Sequence, residues 1–240
     1  TVDDLPLSAL LRSLVTTAEP GFVYRVYVVF DVGDGFYDEV DGRPGAARNG
    51  ALQTWFAANV RVPLAARGIA ADLVLVSFAN RLAKPAPAMN VAMHAAYDDG
   101  ADFLYRVNDD TVFLTPWAHA MVAALRSAEP PLLGVVGPLC DAGNTAILTH
   151  DFTHRTHLDI FPSYYPPALT GWYVDDWMTR VYGGMNTRRS HVVEAAVVDH
   201  RDDPTKRRYA LAPFAKRLLD GEVVAGVDAV LAWVQAQAGG

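Results

Sequence analysis

The run Phe103-Leu104-Tyr105-Arg106-Val107-Asn108-Asp109-Asp110-Thr111 constrains this chain more than any other. An apolar stretch that reads as a buried strand stops at an amide and two adjacent carboxylates, and Thr115-Pro116-Trp117 then reads as a helix start. Two acidic side chains at the carboxyl end of a strand usually hold a cation, and in open α/β sheets that edge is where ligands bind. Alone, Asn108-Asp109-Asp110 is also an ordinary polar turn, because Asn and Asp tolerate turn geometry and cap helices. A second acidic pair, Asp175-Asp176, is enclosed by Trp172, Tyr173 and Trp177, and two such sites in one chain call for a joint explanation.

The residues upstream supply the frame for that strand end. Phe22 to Phe30 is rich in β-branched and aromatic residues and stops at Asp31-Val32-Gly33-Asp34-Gly35, a central strand running into a Gly/Asp loop. Leu52, Trp55, Phe56 and Val60 form an apolar helical stripe, Asp72 to Phe78 is a second strand, and Pro85 to Asp99 a second crossover helix. Strand, helix, strand, helix, strand is the signature of a parallel sheet with right-handed crossovers. A short helix at Leu5 to Leu14 precedes it, with Leu7, Leu10, Leu11 and Leu14 on one face. The expected fold is α/β, a Rossmann-like mixed, mostly parallel sheet with helices on both faces. In a nucleotide-binding domain of this kind the loop after the first strand meets the base and ribose, which singles out Asp31 and Asp34 against a plain turn.

Downstream, Thr115 is expected to cap a helix with Pro116 at its first position and Trp117, Met121, Ala124 and Leu125 on one face. Leu132 to Val136 is a strand candidate closed by Gly137-Pro138. From Cys140 to Tyr165 the period is lost, and polar and aromatic residues gather: Asn144, Thr149, His150, Asp151, His154, Arg155, His157, Phe161, Tyr164 and Tyr165. A long irregular stretch inside a compact domain is functional or disordered, and its aromatic content argues for function. Asp175 to Tyr182 reads as a helix with carboxylates at its amino end, where the dipole favours them. His191, His200 and the basic run Lys206-Arg207-Arg208 follow, then a final helix with Val227, Val230, Leu231 and Val234 on one face.

Composition narrows the partners. A chain of 240 residues that is 51% hydrophobic can form one large domain with a well-buried core. A formal charge of −7 argues against nucleic acid and anionic membranes, and no apolar run is long enough to span a bilayer. A polyanionic substrate would then need local neutralisation, for which a divalent cation is the obvious means. Cys140 alone forms no internal disulfide and no Asn-x-Ser/Thr acceptor is present, which leans toward a cytoplasmic setting while leaving a Golgi lumen open. The chain starts at Thr1 without a methionine or signal-like segment, as a domain cut from a longer polypeptide would. Oligomeric state is left open.

Magnesium and manganese take carboxylate oxygens, water and substrate phosphates, and are shared between protein and substrate. Asp110 is the expected direct ligand, Asp109 or Asn108 would hold the ribose or a metal-bound water, and His200 is the expected third ligand, against its reading as a surface or cap residue. Zinc lacks ligands: there is one Cys and no His-Glu-x-x-His, although His150 and His154 have the spacing to share a helix face. Asp175-Asp176 is a capping device or, beside Trp172 and Trp177, a partly desolvated carboxylate suited to accept a proton from a hydroxyl. No Gly-x-Ser-x-Gly elbow or Gly-Lys-Ser/Thr loop supports acyl transfer or P-loop phosphoryl transfer. Paired carboxylates also suggest glycoside hydrolysis, which an Asn-Asp-Asp on a Rossmann-type strand fits poorly.

With both acidic sites in place, residues 22–210 resemble the nucleotide-sugar glycosyltransferases of the glycosyltransferase-A fold. Asn108-Asp109-Asp110 stands at their Asp-x-Asp position, with Asn108 in place of the usual first acid, and Trp172-Tyr173-Val174-Asp175-Asp176-Trp177-Met178 is similar to the catalytic motif of inverting members such as N-acetylglucosaminyltransferase I. The resemblance implies a single catalytic domain over 1–240, with a nucleotide-binding half about 20–115 and an acceptor half about 116–240. It implies Mn2+ (or Mg2+) at Asp110 and His200, a nucleotide-sugar donor, most often a uridine diphosphate sugar, at Asp31, Asp34, Asn108, Asp109 and Trp172, and Asp176 as the base with Asp175 as its neighbour or substitute. Sugar contacts are expected at His150, His154 and Trp177, and the acceptor is a hydroxyl of a glycan or glycoconjugate. A retaining glycosyltransferase, a sugar nucleotidyltransferase and a non-catalytic carbohydrate-binding domain remain as alternatives.

Overall fold

The computed structural model describes residues 1–34, 36–37, 46–140, 146–183, 190–200 and 215–239, and of 46–49, 190–195, 200 and 215 the backbone alone. Helix α1 (Pro6–Thr17) opens with proline at its first position and buries Leu7, Leu10, Leu11 and Leu14. Strand β1 (Val23–Asp31) pairs in parallel with β2 (Ala70–Phe78), in register from Val23 opposite Ala70 to Asp31 opposite Phe78. The crossover between them is α2 (Ala46–Phe56), a π turn over Ala57–Arg61 and α3 (Val62–Ala65). Leu52, Phe56, Val60 and Leu64 are all fully buried along it. A four-residue spacing drifts by about 40° per step in a helix of 3.6 residues per turn, and the wider π turn takes up part of that drift.

Helix α4 (Pro85–Asp98) follows β2 and packs on β1. Strand β3 (Phe103–Tyr105) then departs from the expected order: it does not extend the parallel β1–β2 pair. The second sheet has the order β3-β6-β5-β7-β4, with β4 Thr111–Phe113, β5 Val135–Cys140, β6 Phe152–His154 and β7 Ser190–His200. Strand β6 offers two edges, one taken by β5 and the other by β3, both antiparallel. Its approach to β5 is allowed by Gly137, where a Cβ would lie 2.4 Å from the carbonyl oxygen of His150. The two longest ladders, β1–β2 and β5–β7, are parallel, so the architecture is α/β with a mixed sheet.

Two local expectations change. Strand β5 runs through Gly137-Pro138 instead of ending there; Pro138 has no N–H to give, and the ladder to β7 slips in register between Pro138 and Leu139. Thr115 does not cap a helix: its Oγ1 accepts the N–H of Val197 on β7 at 2.8 Å, and α5 (Ala118–Arg126) begins three residues later with Trp117 in the cap position. The remaining helices are α6 (Thr156–Ile160), α7 (Val174–Gly183) and α8 (Ala215–Ala238).

Two apolar clusters hold the layers together. One joins α1, α2 and α5 around Leu11, Phe56 and Met121; the other joins α4, α7 and α8 around Trp177, Met178 and Val230. Gly226 lets α8 approach α7, since a Cβ there would lie 2.7 Å from Val181 Cγ2. Among the described residues no helix is long and apolar enough to cross a membrane.

Candidate functional site

The end of β3 builds the site. The Arg106 N–H donates to the Asp151 carbonyl at 2.9 Å, the last bond before the chain leaves the sheet. The Asn108 carbonyl then accepts the Thr111 N–H at 3.2 Å, closing a tight turn with Asp109 and Asp110 at its centre. Asp109 is exposed, while Asp110 is half-buried with its Oδ1 enclosed. Thr111 opens β4 and lies opposite His200 of β7, so the sheet brings the backbone of His200 beside the residue that follows Asp110.

The loop after β1 lies against the same turn. Asp31 stands exposed at the end of β1, 3.5 Å from Asn80 Nδ2. Asp34 Oδ1 accepts the N–H groups of Phe36 and Tyr37 at 2.8 and 3.0 Å, curling the loop so that Tyr37 stacks on Phe30. Burial, and then the carboxylates of Asp109 and Asp34, push the Tyr37 phenol up to about 12. Asp34, Tyr37 and Asp109 therefore share one neighbourhood.

Behind the turn, Arg106 is buried and hydrogen-bonded in several directions. Its Nη1 donates to Asn108 Oδ1 at 3.0 Å, its Nε to the Tyr165 hydroxyl at 2.9 Å, and its Nη2 lies 3.2 Å from Asp151 Oδ2. Asp151, with no exposed surface, also accepts the hydroxyls of Tyr164 and Tyr165, each at 2.5 Å. Burial pushes the Asp151 carboxyl up, and the Arg106 charge and the two hydroxyls pull it back. Burial works against the Arg106 charge, but Tyr165, Asp151 and the Asp175 carboxylate more than restore it. Asp175 acts on Asp151 as well. One guanidinium is thus bonded to Asn108 and feels the charge of Asp175.

Asp175 and Asp176 open α7, and Asp175 Oδ1 accepts the Asp176 N–H at 3.1 Å. Partial burial and then the Asp175 charge raise the Asp176 carboxyl, against a smaller pull from Arg180. The preceding Tyr173 holds φ at +72°, a conformation that costs a bulky residue energy and is found at functional sites. Trp172 beside it is 40% exposed, and the segment docks on the start of α4 through the Ala86 N–H and the Thr170 carbonyl at 3.2 Å.

Three expected sugar contacts lie elsewhere. Trp177 is 1% exposed, packs on Phe161 and gives its indole N–H to the Glu222 carbonyl, so its ring serves the core between α7 and α8. His150 is fully buried between Thr111 Oγ1 at 2.8 Å and Cys140 Sγ at 3.6 Å. His154 pairs with Phe103, at the opposite end of β3 from Asn108, and bonds Thr156 Oγ1 at 2.6 Å. Lys206-Arg207-Arg208 falls outside the described residues. Sequence reasoning gave no role to Arg106 or Tyr37, and it named Asp151, Tyr164 and Tyr165 only as part of an irregular segment expected to be functional; the one available signal for Arg106 was an arginine in an otherwise apolar run.

Among the described residues no three His, Cys, Asp or Glu side chains cluster tightly enough to form a metal site alone. Two neighbouring carboxylates, one exposed and one with an enclosed oxygen, fit a hard cation whose other ligands are water and phosphate oxygens. They fit zinc poorly, because a zinc site takes three or four protein ligands, most of them His nitrogen or Cys sulfur.

No described family matches the sequence, and no curated protein does either. Among solved structures, the fold is similar to a crystal structure of S. aureus TarS, residues 1–349, in complex with UDP, at 13% identity and a TM-score of 0.55. The likeness takes in 92% of this chain and 61% of that one, so the chain spans less than two thirds of that structure's length. At this identity the likeness is one of fold, an α/β architecture with a mixed sheet.

Proposed function

We propose that the protein is an inverting glycosyltransferase that moves a sugar from a UDP-sugar to a hydroxyl of a glycan or glycoconjugate. What supports the reading is that the Asn108 side chain and the Asp175 charge both act on Arg106, which brings the two acidic motifs near one another. The fold similarity to a UDP complex supports the choice of nucleotide. Residues 20–115 would hold the nucleotide and 116–240 the acceptor.

Asp31, Asp34 and Trp172 would orient the base, ribose and sugar, and Asn108 and Asp109 the ribose or a bound water. Asp110, with Asp109 and His200 nearby, would hold Mn2+ or Mg2+, which when bound supplies neutralisation of the diphosphate and of the charge that develops as it leaves. Asp176, its carboxyl raised by burial, accepts the proton of the acceptor hydroxyl. The oxygen attacks the anomeric carbon from the face opposite the diphosphate, UDP departs, and the centre inverts.

The test is release of UDP from UDP-glucose, UDP-galactose and UDP-N-acetylglucosamine with Mn2+ and a panel of glycan acceptors. Asp176→Asn should lower turnover by roughly 10²–10⁴-fold, as removal of an acid-base group does. Near-normal transfer by both Asp176→Asn and Asp175→Asn would refute the base assignment. Pyrophosphate in place of UDP would identify a nucleotidyltransferase, product NMR showing the donor's anomer a retaining enzyme, and glycan binding without turnover a binding domain.

A further inference from the structure

The Arg106 cluster continues beyond the turn. Asn108, Arg106, Asp151 and Tyr164 are linked as described above, and the Tyr164 carbonyl accepts His157 Nε2–H at 2.8 Å. His157 Nδ1 in turn accepts the hydroxyl of Tyr182 at 2.7 Å, and Tyr182 belongs to α7. Burial pushes His157 down to about 4, so its ring is neutral and bonded at both nitrogens. Tyr165 is fixed separately: its N–H donates to Asn90 Oδ1 at 2.8 Å and its carbonyl accepts Asn90 Nδ2 at 3.0 Å, which ties the cluster to α4. Arg106, Asp151, His157, Tyr164, Tyr165 and Tyr182 are all buried. A closed set of satisfied polar groups of this kind is rigid, because any displacement leaves a donor or acceptor unmet in a low-dielectric interior.

We propose that Arg106 is a positioning residue: through this buried chain it holds the Asn108-Asp109-Asp110 turn at a fixed separation from α7 and its Asp175-Asp176 pair. The proposal rests on the glycosyltransferase reading for its catalytic consequence, while the mechanical link stands apart from it. Asn108 acquires a role here: its amide oxygen accepts from Nη1, the guanidinium nitrogen that does not face Asp151. Lysine cannot replace the guanidinium, since one ammonium on a flexible stem does not reach Asn108, Asp151 and Tyr165 in the same planar geometry.

The test uses Arg106→Lys and the milder Tyr165→Phe, which keeps the packed ring and removes only the hydroxyl shared by Arg106 and Asp151. Amide hydrogen exchange followed by mass spectrometry should show exchange at least ~10-fold faster in both 106–111 and 174–183. Faster exchange in 106–111 alone would overturn the link to α7, whether or not the protein transfers sugar. With the UDP-sugar that the wild type turns over, kcat should fall about 10–100-fold at temperatures where the variants are folded, with donor KM within about threefold, as for reacting groups displaced relative to each other. A lower melting midpoint with unchanged kcat would show a structural role and overturn the proposal. If Arg106→Lys fails to fold, Tyr165→Phe decides both readouts. Wild-type protein that binds no UDP with Mn2+ would refute the glycosyltransferase reading, and the exchange result would then decide the mechanical proposal.

Discussion

Asp151 is the most enclosed charge in the described structure, and it accepts from Tyr164, Tyr165 and two nitrogens of Arg106. Desolvating such a pair costs most of what their attraction returns, so its contribution is to geometry more than to net stability. Removing one partner is another matter: Asp151→Ala would strand a buried guanidinium and should cost about 3–5 kcal/mol in urea unfolding. A cost below about 1 kcal/mol would mean that water or a neighbouring carboxylate replaces Asp151 readily. Arg106 was conspicuous in the sequence as a charge inside an apolar run, but its acceptor lies 45 residues away. No local spacing encodes such a pairing. His150 shows the converse, since its residue type suggested a ligand contact and only the packed sheet reveals that it is sealed between Thr111 and Cys140.

The long elements were legible because their periodicity is local: α1, β1, β2 and α4 lie within a few residues of their expected spans. Strands β3, β4 and β6 have three residues each, too few to carry a period, and they take their form from their partners. Thr115-Pro116 is a sound helix-start signal, yet the N–H of Val197 claims the hydroxyl from 82 residues away. Strand β7 went unread because His191, Glu194 and Asp199 interrupt its apolar residues. The junction of β5 and β6 offers the sharpest test at this scale. In Gly137→Ala the new methyl would meet His150 O at 2.4 Å and Leu148 Cδ2 at 3.0 Å, and the first is backbone that cannot rotate away. A loss of about 1–3 kcal/mol or more is expected in thermal unfolding, the range for overpacked sites. An unchanged melting midpoint would show that β6 can shift without cost.

For the molecule as a whole, acid sensitivity follows from one of its buried histidines, His157. His157 titrates at about 4 when folded against 6.5 ordinarily, so between those values the unfolded chain binds the extra proton. Stability from this group is therefore complete above 6.5 and is lost as pH falls toward 4, a change of about 3 kcal/mol. His154, lowered mainly by burial, acts in the same sense, while Asp151 and Asp176, raised mainly by burial, lose stability as pH rises through their folded values. Urea midpoints between pH 4.5 and 6.5 should climb in the wild type and flatten in His157→Gln; equal slopes would show that other groups govern the acid limb.

The insertion of β7 between β5 and β4 also sets an order of events during synthesis. Thr111 leaves the ribosome 89 residues before His200, its cross-strand neighbour. At ~5–20 residues per second, the Asn108-Asp109-Asp110 turn waits roughly 4–18 s for the strand that completes its surroundings. During that interval the nascent chain carries two unpaired strand edges, so this protein is most exposed to aggregation while it is still being made.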